Sequence, residues 1–196
     1  DVERSRGLGD VYKRQFLYGR KMLFQMLEIL YPRRCAVCDE IEVTGKGICP
    51  LCKDKVHVAG EPACKKCGKP LVDERKEFCT DCGKKHHVYT QGKAVFVYEG
   101  GIRNSMYRFK YGNKREYAEF YANAAVEKYG VWLNKIKAEV LIPIPMYSRK
   151  KRLRGYNQAE VFARELGRKA GILVDEHLVR RVRNTIPQKE LNESQR

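Results

Sequence analysis

Eight cysteines fall into four Cys-x-x-Cys pairs, and those are all the cysteines of the chain: Cys35/Cys38, Cys49/Cys52, Cys64/Cys67 and Cys79/Cys82. A two-residue gap lets both thiolates of a pair reach one cation, and four thiolates close a tetrahedral structural zinc site. Eight therefore supply two complete sites with none left over. The pairs also repeat. Cys35-Ala-Val-Cys38-Asp and Cys64-Lys-Lys-Cys67-Gly open two units, and Cys49-Pro-Leu-Cys52-Lys and Cys79-Thr-Asp-Cys82-Gly close them, at an offset of about 29 residues. Two zinc ribbons in series are expected, with pairs one and two sharing one ion and pairs three and four the other. A cross-braced arrangement, pair one with pair three, is the alternative wiring. Disulfides are the competing use of the thiols, but disulfide-stapled secreted chains are usually spaced less regularly. Redox catalysis fits less well, because four evenly spaced pairs make poor independent redox sites. His86 and His87 follow Cys82 closely; with both sites already filled they are read as exposed turn residues.

The rest of the chain must position whatever these metals serve. Its 196 residues carry a formal charge of +16. Eight metal-bound thiolates subtract eight charges and two zinc ions restore four, leaving the loaded protein near +12. Polyanions are the natural partners, either nucleic acid or phosphorylated small molecules. No apolar run approaches the roughly 20 residues that span a bilayer, and a cytoplasmic location is expected. Residues 1–15 lack apolar periodicity, and Asp10-Val11-Tyr12-Lys13-Arg14-Gln15 resembles translated adapter sequence, so they are set aside as a non-native leader. Residues 16–31 carry Leu23, Phe24, Leu27, Leu30 and Tyr31 at helical spacing up to Pro32. That helix is expected to pack on its own domain, with a membrane surface as the alternative given Arg20 and Lys21.

Beyond a ribbon module at 32–91, residues 92–196 change character. Ala94-Val95-Phe96-Val97-Tyr98 reads as a strand closed by a Gly100-Gly101 turn. Ile102, Met106 and Phe109 mark a short helix. Tyr117, Phe120, Tyr121, Ala124, Trp132, Leu133 and Ile136 mark a longer one, with its aromatics in the core. Val140-Leu141-Ile142 reads as a buried strand, ended by Pro143-Ile144-Pro145 because proline cannot donate to a ladder. Asn157 is a fitting N-cap for a helix over 158–169 that stops at Gly171, and Leu173-Val174 and Leu178-Val179 read as further strand. Strands alternating with helices predict an α/β domain with a parallel sheet.

Between the second strand and the capped helix, Arg149-Lys150-Lys151-Arg152-Leu153-Arg154 places five cations in six positions, followed by Gly155. It reads as a basic loop at the point where α/β sheets bind ligands. Guanidinium groups chelate phosphate oxygens, and a glycine admits close backbone approach.

These residues carry a resemblance. Pro143-Ile-Pro145 followed by Arg152-x-Arg154-Gly155-Tyr156-Asn157-Gln158-Ala159-Glu160 resembles the signature of the ComF family, competence-associated proteins with a double zinc ribbon and a type I phosphoribosyltransferase-like domain. Tyr31-Pro32-Arg33-Arg34-Cys35, Phe109-Lys110-Tyr111 and Arg183-x-Thr185-x-Pro187-Gln188-x-x-Leu191 agree with it, in the family's order. The resemblance implies a pyrophosphate loop at Pro145, Met146, Tyr147, Ser148, Arg149 and Lys150, supported by Arg152, Arg154, Gly155, Asn157 and Gln158. Lys110, Arg183 and Gln188 are candidate pocket residues, and 183–196 resembles the hood that closes over substrate. The implied ligand is phosphoribosyl pyrophosphate with Mg²⁺, and the implied setting is DNA uptake, with single-stranded DNA and the uptake machinery as further partners. In that fold two acids followed by a Thr-Thr-Gly-x-Thr-like loop hold the ribose and its 5′-phosphate. Asp175, Glu176, Glu190 and Glu193 are the acids after Gly171, and none is followed by such a loop. Truncation within the hood is therefore expected, with phosphoribosyl transfer reserved for a complete protein. The competing class is a non-catalytic zinc-ribbon factor that binds nucleic acid.

Overall fold

The computed structural model describes residues 30–186 and 190–192. The leader, nearly all of the expected 16–31 helix and Gln188 lie outside these residues. The described chain runs through the cysteine-bearing segment into five helices and two short strands. The helices are α1 (Thr80–Lys84), α2 (Gly100–Tyr111), α3 (Tyr117–Ile136), α4 (Ser148–Arg154) and α5 (Gln158–Ala170); the strands are β1 (Val140–Leu141) and β2 (Leu173–Val174). None of the described helices is long and apolar enough to cross a membrane.

The two halves of the cysteine segment repeat in space as they do in sequence. In the first, Asp39 N–H donates to Cys35 O at 2.9 Å and Cys35 N–H to Glu40 O at 2.8 Å; in the second, Gly68 N–H donates to Cys64 O and Cys64 N–H to Lys69 O, both at 2.8 Å. The residue that closes each knuckle is left-handed, Asp39 at φ 70° and Gly68 at φ 75°. At Gly68 a Cβ would lie 2.7 Å from Ala94 N, so glycine is required there by space as well. Single antiparallel bridges, Arg34 with Ile41 and Ala63 with Pro70, brace the two knuckles at the same offset. The closing pairs differ slightly: Cys49 precedes a 3-10 turn over Pro50–Lys55 and Cys79 precedes α1.

The core lies between the first ribbon and the helices. Ala36, between the first two cysteines, is buried with Ile102, Phe109, Tyr117, Ala118, Phe120, Tyr121 and Tyr156. The apolar spacing of α2 and α3 brings those aromatics inward, and Phe109 and Tyr121 pack with ring centroids 5.4 Å apart. Helix α5 lies along α3. It starts at Asn157, whose Oδ1 accepts from Ala159 N–H at 3.0 Å, and ends at Gly171 in the left-handed conformation. Gly167 lets α5 close onto β2, where a Cβ would sit 2.5 Å from Val174 Cγ2.

Several expectations about strands change. Residues 94–98 form only one bridge, Phe96 with Val58, flanked by Ala59 N–H to Val95 O and Val97 N–H to His57 O. Their partner is a three-residue stretch leaving the first ribbon, too short to extend a ladder. Gly100 and Gly101 open α2 rather than forming a separate turn. Val140-Leu141-Ile142 is not a buried strand. β1 covers only Val140 and Leu141, pairs in parallel with Leu173 and Val174, and leaves Ile142 exposed, while Pro143 is the buried residue. Among the described residues no further strand covers its other edge. Leu178-Val179 is a bend held by the Asp175 carboxylate, which accepts from His177 and Leu178 N–H groups at 2.8 and 2.9 Å. The basic loop is the helix α4, because lysine, arginine and leucine are good helix formers and Gly155, at φ 82°, supplies its left-handed stop.

Candidate metal centres and basic groove

The eight cysteines form two groups, Cys35, Cys38, Cys49 and Cys52, and Cys64, Cys67, Cys79 and Cys82, each with its sulfur atoms within 4.8 Å of one another. The wiring is sequential. Within the groups Cys38 and Cys49 Sγ are 3.8 Å apart and Cys67 and Cys79 Sγ 3.7 Å apart. A disulfide needs about 2.05 Å. Four sulfurs at ~2.3 Å from a central zinc stand about 3.8 Å from each other along a tetrahedron's edges. The donor set and spacing therefore fit zinc in both centres. His86 and His87 join neither group; His86 is exposed and His87 stacks on Tyr89 at 5.2 Å.

Each centre contains one thiol prepared for ionisation and others that resist it. Burial raises Cys35, but the amides of Cys49, Cys38 and Val37 outweigh it and hold the thiol at about 7; N–H groups of Val37 and Cys49 point at its sulfur from 3.4 Å. Burial raises Cys64 as well, and the amides of Cys79, Cys67 and Lys66 bring it to about 6. Burial and the neighbouring sulfurs push Cys52 and Cys82 up to about 12, so their protons must be displaced by the cation. A buried carboxylate also shapes the first ribbon. Glu42 accepts from Gly47 N–H at 3.1 Å and from Thr44; burial raises its carboxyl, and the Thr44 and Gly47 bonds hold it below the usual range.

The first centre is tied to the helices. Arg108 Nη1 donates to Val37 O at 2.9 Å, and Asp39 Oδ1 receives both Tyr117 OH and Lys114 Nζ at 2.7 Å. The second centre reaches mainly the segment that follows it, with Gln91 Nε2 donating to Lys65 O at 3.1 Å.

The residues expected to bind phosphate divide into two sets. Pro145, Met146, Tyr147 and Ser148 line a solvent-open groove of about 610 Å³ with Lys151, Glu160, Glu176, Arg180 and Arg181. Arg149 and Arg152 are exposed on α4, and Lys150 Nζ donates to Thr185 O at 3.1 Å. The second set is engaged internally. Arg154 donates to Gln158 Oε1 at 2.5 Å and lies 4.9 Å over the Tyr111 ring. Asn157, only 1 % exposed, donates to Ile144 O at 3.0 Å and to Glu160 Oε1 at 3.2 Å, so it fastens the strand end to the helix start. Gly155 ends α4. Lys110, half-buried at the end of α2, and exposed Arg183 do not line the groove.

Lys151, one cation of the basic run, Glu160, part of the ComF-like motif, and Glu176, one of the acids after Gly171, line the groove without having been expected there. Glu160 was signalled by the Asn-x-x-Glu capping-box spacing. Lys151 lies 2.6 Å from Glu160 Oε2. Arg164 forms an ion pair with Glu176 across 12 residues, for which no local signal exists.

Residues 26–83 match the family model of the double zinc ribbon domain, and with the two four-cysteine sites this part of the chain is a double zinc ribbon for two structural zinc ions. No curated protein matches the chain, and no solved structure does.

Proposed function

We propose that the chain binds a phosphorylated small molecule through the groove beside α4, as a ComF-like member of the type I phosphoribosyltransferase family would bind phosphoribosyl pyrophosphate. The observation that carries this reading is the groove's position. It opens past the C-terminal end of β1, where the chain runs from Leu141 through Pro145 to Ser148, and past the end of β2 at Glu176. Open α/β sheets bind ligands at that place. Lys151, Arg180 and Arg181 bring positive charge to it, and Arg149 and Arg152 add more along α4. In this class of reaction the anomeric carbon loses magnesium-bound pyrophosphate, and the protein's part is to stabilise the departing charge and exclude water. The acids and Thr-Gly loop for the ribose phosphate have no counterpart among the 196 residues. The proposal for this chain is therefore binding rather than transfer. The experiment is calorimetry of the zinc-loaded protein with phosphoribosyl pyrophosphate and Mg²⁺, and with inorganic pyrophosphate. Arg149→Ala with Arg152→Ala should weaken binding at least tenfold with zinc content unchanged; equal affinity refutes the reading.

A second reading, a non-catalytic accessory factor of DNA uptake that binds single-stranded DNA, draws support from exposed rings beside cations. Tyr107 and Tyr111 pack 5.1 Å apart next to Arg154, and Lys66 lies 5.2 Å over Tyr89. Bases stack on such rings while cations follow the backbone. Its test is the salt slope of oligonucleotide binding. A slope unchanged by replacing Lys65, Lys66 or the 149–154 cations counts against it.

A further inference from the structure

The turn between α2 and α3, residues 112–116, touches both chemistry-bearing parts of the molecule. Lys114 reaches one way, to Asp39 at 2.7 Å, and Asp39 directly follows the zinc ligand Cys38. Arg115 reaches the other way. Its Nη2 donates to Gly155 O at 3.2 Å, and its guanidinium lies 4.9 Å over the Tyr156 ring. Gly155 is the residue that ends α4, its own N–H donating to Lys151 O at 2.8 Å. Two further contacts bind the end of α2 to the same junction: Tyr156 OH donates to Phe109 O, and the Arg154 guanidinium covers the Tyr111 ring.

The zinc side of this linkage depends on metal. Asp39 is a non-glycine residue at φ 70°, a conformation that persists only when its surroundings impose it. The knuckle bond from Asp39 N–H to Cys35 O imposes it here, and that bond belongs to the loop that wraps the cation. Val37 O, which receives Arg108, lies in the same loop. A cation would tie the four thiolates into one site, and both anchor points of the 108–117 segment, Val37 O and the Asp39 carboxylate, lie in the loop it would close.

We propose that the 112–116 turn couples the first zinc centre to the phosphate groove, with Lys114 and Arg115 as positioning residues. Metal in the Cys35, Cys38, Cys49 and Cys52 centre fixes α4 and raises its affinity for a pyrophosphate-bearing ligand. By linkage the ligand raises zinc affinity by the same factor, at this centre alone. Among the described residues the second centre meets residues 91–94, which are held by Lys128, Tyr129 and Trp132 in the distal half of α3 rather than by the 112–116 turn. The inference rests on the reading of the groove as a phosphate site.

The test uses the full zinc-loaded chain and inorganic pyrophosphate. Affinity is measured by calorimetry. Zinc retention at each centre is then read by thiol alkylation, peptide by peptide, along a chelator titration with and without pyrophosphate. Arg115→Ala is expected to weaken pyrophosphate binding about tenfold, the effect of losing one charge-assisted hydrogen bond, with both zinc ions retained. Tyr156→Phe removes one hydroxyl and no charge, and is expected to shift affinity in the same direction, which a direct phosphate contact would not explain. Pyrophosphate is expected to protect the first quartet and not the second, and Arg115→Ala to abolish that protection. If pyrophosphate binds but protects neither quartet, or shifts both alike, the coupling is refuted and the groove reading stands. If the zinc-loaded protein binds no pyrophosphate in calorimetry, the groove reading fails and the coupling fails with it.

Discussion

Replacing Cys38 by serine should cost the molecule its helices, whereas replacing Cys67 by serine should not. The first knuckle places Ala36 and Val37 in buried positions, receives Arg108 on Val37 O and holds Tyr117 and Lys114 through Asp39. Burying a valine is worth about 1.5–3 kcal/mol, and each hydrogen bond to a charged group another ~1.5–3 kcal/mol. Val37, Arg108 and the Tyr117–Asp39 pair together contribute about 5–9 kcal/mol. A domain's whole stability is about 5–15 kcal/mol, so losing the knuckle should melt α2 and α3, which span 12 and 20 residues. The Cys67 knuckle contributes no residue to that core. The assay is helical circular dichroism through a thermal melt, with zinc counted by mass spectrometry in each variant. Both variants should retain about one zinc. The Cys38 variant should show little cooperative helical transition at 25 °C, and the Cys67 variant a transition near that of the parent. Equal helical loss in the two, or a Cys38 variant that melts like the parent, would refute the reasoning.

Gly101→Ala should destabilise by about 1–3 kcal/mol, because the new Cβ would stand 2.7 Å from Val37 Cγ1 and 2.8 Å from Lys55 O. Gly130→Ala, whose Cβ would meet only Val126 Cγ1 at 3.6 Å, should stabilise α3 by up to ~1 kcal/mol through helix propensity; both are read as changes in Tm. Asn157→Ala should cost about 1–2 kcal/mol as a lost cap and also free Ile144 O, measured by urea denaturation. The Arg164 side chain, through its hydrogen bonds, holds the Glu176 carboxyl below its usual 4.5. The pair's stabilisation is therefore present above pH 4.5 and is lost as pH falls through the lowered value. Arg164 is 63 % exposed, so the effect stays below about 1 kcal/mol. The Tm gap between the parent and Arg164→Gln should hold from about pH 7 to pH 5 and narrow below pH 4.5; a gap that stays constant down to about pH 3 would exclude the ion pair as its source.

The metal centres were legible because ligand spacing is a local property. Two residues between cysteines and an offset of about 29 between units required no knowledge of the fold, and the repeat reappears in space down to the left-handed residues Asp39 and Gly68. The cap at Asn157 and the stop at Gly171 were legible for the same reason, since a helix satisfies its own ends within a few residues. Strands were read less well. Val95-Phe96-Val97 has strand composition, but a strand exists only with a partner, and here the partner is three residues long. The basic run lies between a strand and a capped helix, where α/β order predicts a loop, although its own residues favour a helix.

By itself the sequence determined two zinc centres, a basic segment followed by a capped helix, and the two helices whose aromatics fill the core. Tertiary structure alone decided that the first centre is part of that core while the second is not, and that Lys114 and Arg115 face opposite partners 75 and 40 residues away along the chain. The reason is physical. Metal ligands and helix caps are set by covalent neighbours, whereas which knuckle is buried and which carbonyl meets a guanidinium depend on how separate segments pack.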